Sequence, residues 1–415
     1  MTEPCWLRDS CRLCGTKDLR QILDLPDTPP ANAFLKEIPA TPDPVYPLKV
    51  NLCRSCGGVQ LSHVVDPQIL FADYLYATRF SPSLVRHFDL LAETCLKDKL
   101  FSPADLVLSV GTNDATDLAG FKKRGARVLG VDPSRRHAID AFETYGITVW
   151  PEFFTEASAR RVGEKAKIVL TANVFAHVDD LRALLGAIRS LLAYDGTWIL
   201  EAGYWPDLLE KSDVSNIYQE HVQYHTVKAL QSFLHANGMS VRSVERIPSH
   251  GGSIRATVVH GTVEADESVH GLVDEEVATG VFVEETYALL TQRLASYRDS
   301  FWRTWRSFLL DRYVSGQGRA RAVGFTAPAK MTTLCTFLGL TDEHLSVIGE
   351  DSTWKVGRFT PGTHIPVVST EDLLAANPDL VVVFAWDVAE ACAKRLKDLG
   401  YVGKVLVPFP RAIFV

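Results

Sequence analysis

The chain of 415 residues has no block of lysine and arginine residues and no apolar run long enough to span a membrane. Its formal net charge is -7 at pH 7, so nothing in the sequence suggests a surface for a nucleic-acid backbone. The first residues, Met1 to Pro4, lack the basic and then apolar pattern of a secretion signal. We therefore expect a cytoplasmic protein that binds neither nucleic acid nor membrane.

Apolar residues, in contrast, are abundant. Hydrophobic residues make up 47% of the 415 positions, and a chain of this length exceeds what one hydrophobic core usually holds. The sequence therefore predicts two or three folded domains.

Half of the eight cysteines form two Cys-x-x-Cys pairs, Cys11 with Cys14 and Cys53 with Cys56. Each pair can occupy a tight turn and present two thiolates to one tetrahedral ion. We predict a structural zinc site with four thiolate ligands and no open coordination position. The 38 residues between the pairs exceed the spacing of compact zinc ribbons, so a disulfide or redox role is the alternative.

A strand, a turn, a helix and a second strand follow one another in the next part of the chain. The pattern predicts strands at 106–110 and 127–131, a helix at 119–123, and a turn that begins at Gly111. Asp132 lies 21 residues beyond that glycine, the place of a ribose-binding acid in nucleoside sites. The segment therefore indicates a nucleoside-binding unit, with a generic α/β turn as the alternative.

The turn itself indicates which nucleoside cofactor is bound. Asn113 and Thr116 occupy the second and third glycine positions of the dinucleotide fingerprint, where a pyrophosphate needs close backbone approach. S-adenosylmethionine has no pyrophosphate, so its sites tolerate these side chains, and Asp132 suits its ribose hydroxyls. We therefore favour S-adenosylmethionine over NAD.

Further strands and helices alternate along the chain. Strands at 168–171 and 197–200, separated by a helix at 181–192, predict a doubly wound, mostly parallel sheet whose ligands bind at the carboxyl ends of its strands. Asn173 and His177 follow one such end, and a packing or capping role is the alternative for His177.

The last third of the chain also alternates strands and helices. Strands at 322–325, 380–384 and 404–407 predict a second Rossmann-like layer, and 283–310 reads as one long helix that joins the two halves. Between the cysteine pairs, the proline-rich segment 25–30 predicts a loop.

Proton-handling side chains are concentrated in residues 217–221 and 250–255, where a phenol, a carboxylate, imidazoles and a guanidinium lie within 38 residues. We predict that His221 is a general base, because imidazole titrates near neutral pH. Tyr218 would share its face if the stretch were helical. A structural role is the alternative for each residue alone. Upstream, the hydroxyls of Tyr74 and Tyr76 favour a ligand site over packing between domains.

These motifs together resemble the S-adenosylmethionine-dependent sugar C-methyltransferases, which act on nucleotide-linked 4-keto-deoxysugars. The resemblance implies an α/β fold with a zinc-binding domain at 1–75, a class I methyltransferase domain at 76–310 and a Rossmann-like, nucleotide-sugar-binding domain at 311–415. The stretches that carry it, besides the cysteine pairs, are Leu75-Tyr76, Gly111-Thr112-Asn113-Asp114, residues 172–180, residues 217–221, residues 250–255, Ala327-Pro328-Ala329-Lys330, residues 355–358, residues 361–366 and Ala385-Trp386-Asp387.

The resemblance also implies the roles of individual residues. Its active-site tyrosine, glutamate and histidine fall on Tyr218, Glu220 and His221, with His177 as an additional histidine. The residues expected to bind S-adenosylmethionine are Gly111, Asn113, Asp114, Asp132 and Asn173. The residues expected to bind a nucleotide-linked, dTDP-type ketosugar are Tyr74, Tyr76, His250, Ser253, Arg255, Lys330, Lys355 and Arg358.

The implied reaction is C-methylation. A base removes the proton next to a ketone, and the resulting enolate carbon, at C3 or C5 of the sugar, attacks the methyl group of the sulfonium. Two alternatives are a divergent methyltransferase for another ketone or hydroxyl and a catalytically silent nucleotide-sugar-binding protein. The family usually has an acid where this chain has Ser109, and a glycine at Ala115. Without the acid, either the affinity for the cofactor's methionine end falls or another residue substitutes.

Overall fold

A computed structural model describes residues 3–415. The α-helices are α1 (Pro67–Phe71), α2 (Pro82–Lys97), α3 (Thr116–Lys123), α4 (Arg135–Tyr145), α5 (Glu156–Arg161), α6 (Leu181–Leu191), α7 (Trp205–Lys211), α8 (Val227–Ala236), α9 (Glu267–Ala278), α10 (Glu284–Val314), α11 (Ala329–Leu338), α12 (Thr370–Ala375) and α13 (Ala389–Asp398). Short 3-10 helices lie at Thr78–Phe80, Val214–Asn216, Ser249–Gly251 and Trp386–Val388.

The strands alternate with these helices over much of the chain. They are β1 (Cys5–Leu7), β2 (Leu19–Thr28), β3 (Tyr46–Cys53), β4 (Val59–Leu61), β5 (His63–Val65), β6 (Leu106–Val110), β7 (Arg127–Val131), β8 (Val149–Trp150), β9 (Ala166–Ala172), β10 (Leu192–Gly203), β11 (Gln223–Tyr224), β12 (Met239–Ile247), β13 (Ser253–His260), β14 (Ala322–Phe325), β15 (Ile348–Glu350), β16 (Val367–Ser369), β17 (Leu380–Val383), β18 (Lys404–Val407) and β19 (Ile413–Phe414).

The described residues form two compact units, each built from separate stretches of the chain. The first contains the residues up to Gln21, Val50–Asp207 and His221–Phe282. The second contains Ile22–Lys49, Leu208–Glu220 and Val283–Val415. The domain boundaries at residues 75 and 310 stay predictions.

The first unit is organised on a seven-stranded sheet with the order β12-β13-β10-β9-β6-β7-β8. Neighbouring strands from β10 to β8 pair in parallel, whereas β13 runs antiparallel to both β10 and β12. All five residues of β6 are buried, as expected for a central strand covered on both faces. The predicted doubly wound sheet is confirmed, and its predicted strands fall within β6, β7, β9 and β10.

The two faces of this sheet are covered by different helices because side chains alternate along each strand. From β6, Leu106, Leu108 and Val110 pack on the face that holds the apolar residues of α6 and α8. Val107 packs on the opposite face with residues of α2 and α3. Burying each such side chain stabilises the fold by about 1.5–3 kcal/mol.

The second unit contains a six-stranded sheet with the order β16-β15-β14-β17-β18-β19. Its first five strands pair in parallel, and β19 pairs antiparallel with β18. The predicted strands of this layer are confirmed. The predicted long helix is α10, which continues to Val314 and buries a stripe of residues spaced mostly by three or four: Tyr287, Leu290, Leu294, Phe301, Trp305 and Phe308.

The loop predicted at residues 25–30 is wrong for its first part, because β2 continues to Thr28. The side chains of Leu23, Leu25 and Thr28 are buried in that strand, and their burial outweighs the turn tendency of Pro26. Among residues 3–415, no helix combines the length and the apolar character that a membrane crossing requires.

Candidate active site

Four thiols in the first unit converge on one point. The sulfur atoms of Cys11, Cys14, Cys53 and Cys56 all lie within 4.8 Å of one another, and the Cys11–Cys56 and Cys14–Cys53 Sγ distances are both 3.6 Å. A Cβ atom on Gly58 would lie 3.3 Å from the Cys56 sulfur, so a glycine keeps this space open. Four sulfurs at these separations fit a tetrahedral zinc ion.

The cysteine cluster is joined to the loop after β9 by a buried arginine. Arg12 donates from Nε to Asp179 Oδ1 at 2.9 Å and from Nη1 to the Leu61 carbonyl at 2.9 Å. Burial lowers the pKa of Arg12 to about 10, while the charge of Asp179 opposes that shift. Since Asp179 lies two residues after His177, the cysteine turn fixes the segment that carries this histidine.

Two imidazole rings lie at the carboxyl end of β9, where the sequence predicts a cleft. The rings of His177 and His221 stack with their centroids 5.1 Å apart. The Phe71 ring also stacks on His177, with a centroid distance of 5.6 Å. Tyr224 meets the His221 ring edge-on at 6.3 Å. The structure therefore brings together two predicted catalytic histidines from positions 44 residues apart in the sequence.

The protonation state of His177 follows from its surroundings. Burial lowers its pKa well below 6.5, and the neighbouring charges of His221 and His250 lower it further. Its Nε2 atom is buried without a hydrogen-bond partner among residues 3–415. His177 is therefore a neutral imidazole at physiological pH, a state that can accept a proton.

The stretch that contains Tyr218 and His221 is not helical, so the condition for a shared helical face is not met. A 3-10 helix ends at Asn216, and the residues from 217 to 222 form a bend and a turn before β11. Residues three apart face each other only on a helix, so the spacing does not align these two side chains. In its own unit, the buried Glu220 accepts a hydrogen bond from Asn32 Nδ2 at 2.8 Å.

The glycine turn after β6 is held by the residues that were predicted to bind the cofactor. Asp132 accepts from the backbone N–H of Asn113 at 3.0 Å and of Ser134 at 2.9 Å, and burial raises its pKa. The Asn113 side chain donates to the Tyr76 carbonyl at 2.9 Å. Asp114 accepts from the Arg79 backbone N–H at 2.8 Å. Asn113 and Asp114 thus fix the segment of Tyr76 to Arg79 over the turn.

The other predicted cofactor residues lie beside this turn. Gly111 has φ 64°, and a Cβ atom there would overlap the Val174 side chain. Asn173 has φ 59° and donates its backbone N–H to the Glu201 carbonyl at 2.8 Å. Tyr74 packs edge-on against Phe71 at 5.6 Å, within the same ring cluster as the histidine pair.

Arg255, a predicted substrate residue, is paired inside the protein. Its Nε donates to Glu201 Oε1 at 2.6 Å, and Glu201 also meets His87 Nε2 at 2.9 Å. Burial alone would raise the pKa of Glu201, but the hydrogen bond from His87 and the charge of Arg255 lower it. Sequence analysis missed Glu201 and His87, because a single acid in an apolar strand gives no periodic signal.

The segment before Arg255 has an unusual backbone. His250 has φ 53° and Gly252 has φ 137°, and a Cβ atom on Gly252 would overlap the Asp207 carboxylate. The buried Ser253 donates from Oγ to the Ser249 carbonyl at 3.0 Å. The glycine is therefore required by close packing within the protein.

The predicted cations of the second unit each have a protein partner. Lys355 is buried and donates to the Ala327 carbonyl at 2.7 Å, and burial lowers its pKa although the charges of Glu350 and Glu220 oppose that shift. Arg358 donates to the Phe34 carbonyl at 3.1 Å. Lys330 forms an ion pair with Asp387 at 2.6 Å and lies over the Trp386 ring.

Comparison with known proteins identifies the chain. Family models match it in three successive parts: a zinc binding domain at residues 11–71, a methyltransferase domain at 83–244 and a C-methyltransferase C-terminal domain at 248–410. The C-methyltransferase NovU of Streptomyces niveus is 30% identical over 411 residues, which cover 97% of this chain and 96% of that protein. The chain belongs to this C-methyltransferase family.

Solved structures of more distant proteins resemble part of this C-methyltransferase. Magnesium protoporphyrin IX methyltransferase from Synechocystis PCC 6803 is 18% identical and covers 43% of this chain and 83% of its own, with a TM-score of 0.34. A methyltransferase from Clostridium acetobutylicum ATCC 824 is 13% identical. The match covers 42% of this chain and 91% of that protein, with a TM-score of 0.35. Family membership does not rest on these two structures.

The C-methyltransferase assignment confirms the predicted α/β fold class and both predicted cofactors. S-adenosylmethionine fits the turn after β6, because the Asp132 carboxylate is fixed at the end of the second strand. Zinc fits the four convergent sulfurs, which occupy all tetrahedral positions. The zinc is therefore structural, and the roles given to individual site residues stay predictions.

Proposed function

We propose that this C-methyltransferase deprotonates the carbon next to the ketone of a nucleotide-linked 4-keto-deoxysugar and methylates that carbon, at C3 or C5. The stacked imidazoles of His177 and His221 are the observation that supports the proposal most strongly. A proton next to a ketone is weakly acidic, so its removal at neutral pH needs a positioned base.

In this proposal His221 takes the proton. The C–H electron pair moves into the enolate, and the imidazole of His221 becomes an imidazolium. His177 stays neutral because burial holds its pKa well below 6.5, so the stacked ring adds no positive charge against the new one. Glu220, the preceding residue in the chain, binds Asn32 and is proposed to orient sugar hydroxyls. Tyr218 is proposed to donate to the enolate oxygen.

Bound S-adenosylmethionine supplies an electrophilic methyl group on a sulfonium. The residues that would hold it lie at the turn after β6: Gly111 by its backbone, Asp132 by its carboxylate, and Asn113 with Asp114 by fixing the segment above the turn. Asn173, at the end of β9, would border the same ligand.

The diphosphate of the nucleotide-sugar is proposed to contact cations of the second unit. Lys330, Lys355 and Arg358 offer positive charge for diphosphate oxygens, and a dTDP-type nucleotide is our expectation. Each of these cations now has a partner within its unit, so diphosphate would exchange with or extend those bonds. The remaining residues proposed for the sugar are Tyr74, Tyr76, His250, Ser253 and Arg255.

The proposal predicts which compounds are methylated. The purified protein, incubated with S-adenosylmethionine and a panel of nucleotide-linked 4-ketosugars, should add one methylene mass to at least one of them, measured by mass spectrometry. The matched control is the same sugar reduced to the 4-alcohol, which has no acidic C–H and should gain nothing. Methylation of the 4-alcohol would indicate an O-methyltransferase, and no product from any ketosugar would contradict the proposed substrate class.

A further inference from the structure

A buried carboxylate, Asp117, lies beside the cofactor turn. It is 5% exposed and stands in the first turn of α3. Its Oδ2 accepts a hydrogen bond from Ser109 Oγ at 2.5 Å, and its Oδ1 accepts one from Thr112 Oγ1 at 2.5 Å. These two hydroxyls belong to the end of β6 and to the turn itself, so they hold the carboxylate beside the segment expected to bind S-adenosylmethionine.

In the part of the chain that the structure describes, no ion pair compensates the charge of Asp117. Its two oxygens accept hydrogen bonds from neutral hydroxyls, and the negative charge of Asp114 raises its pKa. A buried carboxylate with only neutral donors is unfavourable unless a cation comes close. The bound cofactor carries two cationic groups, the ammonium of its methionine part and the sulfonium.

We propose that Asp117 provides the carboxylate that binds the ammonium end of S-adenosylmethionine, in place of the acid that the family resemblance leads us to expect at Ser109. Ser109 itself carries no charge. Its hydroxyl instead donates to a carboxylate that belongs to α3 and so orients that carboxylate. Asp117 is therefore a cofactor-binding residue, and Ser109 and Thr112 are positioning residues.

This arrangement makes cofactor affinity depend on pH. Burial, followed by the negative charge of Asp114, raises the pKa of Asp117 to about 7, although the bonds from Ser109 and Thr112 lower it. Below that pH the carboxyl is neutral and does not attract an ammonium. Above it the carboxylate is ionised, and a bound cation offsets the cost of its burial. Affinity should therefore rise with pH up to about 7 and then level off.

The neighbouring charged groups have other partners. On α2, Asp89 and Glu93 pair with Arg124, at 2.6 Å and 3.4 Å. On α4, Asp140 pairs with Arg79 at 2.7 Å. Other charged or titratable groups also lie close to the turn and have partners. Asp114 accepts from the Arg79 and Thr116 backbones, and Asp132 accepts from two backbone amides. His137 contacts the Tyr76 carbonyl, and the Tyr145 hydroxyl contacts Thr116 Oγ1 at 3.1 Å.

The test compares two ligands that differ at one end. S-adenosylhomocysteine has the ammonium group, whereas 5′-methylthioadenosine lacks the amino-acid part. By calorimetry on the unaltered zinc-loaded protein between pH 6 and 8, S-adenosylhomocysteine should bind about tenfold more weakly per pH unit below the Asp117 pKa. The affinity for 5′-methylthioadenosine should change less than about twofold. Equal pH dependence of both ligands, or none, would overturn the proposal without requiring any variant.

Substitutions extend the test. At pH 8, Asp117→Asn should weaken S-adenosylhomocysteine about 10- to 100-fold, the loss expected for a hydrogen bond to a charged group, and leave 5′-methylthioadenosine binding intact as proof of folding. Equal losses for both ligands would mean that Asp117 only shapes the turn. The double variant Ser109→Glu with Asp117→Ala returns the carboxylate to the strand. It should bind S-adenosylhomocysteine better than Asp117→Ala alone, and failure to do so would contradict the exchange of roles.

Discussion

Cys53→Ser is expected to release the zinc ion and to unfold the chain around the four cysteines, within residues 11–71. Cys53 is buried, and its sulfur lies 3.6 Å from that of Cys14, so serine would leave three thiolates around a site built for four. Structural zinc sites contribute on the order of 10–16 kcal/mol of binding free energy, which is comparable to the whole stability of a typical domain. Metal analysis should find about one zinc per unaltered chain and almost none in the variant.

The effect should reach the active site. Arg12 lies between two ligands in the sequence and binds Asp179, which follows His177 closely, so loss of the cysteine turn frees that loop. We expect the variant to lose most methyl-transfer activity and to be cut quickly by protease within residues 11–71. Cys5→Ser is the matched control, because Cys5 is close to the cluster in the sequence but is not one of its four cysteines. A zinc-free Cys53→Ser protein with full activity would refute this role.

His221→Ala is expected to stop proton removal while leaving the cofactor bound. General-base catalysis contributes about 10²- to 10⁴-fold to a rate, so exchange of the proton next to the ketone with heavy water should slow by that factor. Nuclear magnetic resonance of the sugar would follow the exchange without S-adenosylmethionine, and calorimetry with S-adenosylhomocysteine would check the fold.

The two histidines can be separated by comparison. His177→Ala should reduce exchange less than His221→Ala, because its ring supports His221 by stacking at 5.1 Å and does not itself take the proton. His235→Ala is the control for the loss of a histidine outside the site, because His235 is exposed on α8. Exchange retained in His221→Ala and lost in His177→Ala would assign the base to His177.

Elements defined by local patterns were predictable from the sequence. The apolar runs of β6, β7 and β14 and the stripe of α10 have clear periods, so their places in the chain followed directly. The paired cysteine spacing likewise predicted one four-sulfur cluster. The end of β2 was not predicted, because the burial of its side chains extends the strand past Pro26 to Thr28.

Contacts between distant residues were not predictable. Glu201 meets His87 and Arg255 across 114 and 54 residues of sequence, and no local pattern marks such a cluster. Asp117 lies before the helix predicted at 119–123, and only the structure shows Ser109 and Thr112 donating to it. The family resemblance indicated a missing acid at Ser109, but only the fold shows which carboxylate lies beside it.

The central claim is that the methyl group is transferred to carbon. The most direct measurement uses S-adenosylmethionine with a ¹³C-labelled methyl group and a nucleotide-linked 4-ketosugar labelled with ¹³C in its ring, and observes the product by nuclear magnetic resonance. The account predicts a one-bond coupling between the new methyl carbon and the ring carbon next to the ketone. A methyl signal at the shift of a methoxy group, without that coupling, would contradict it.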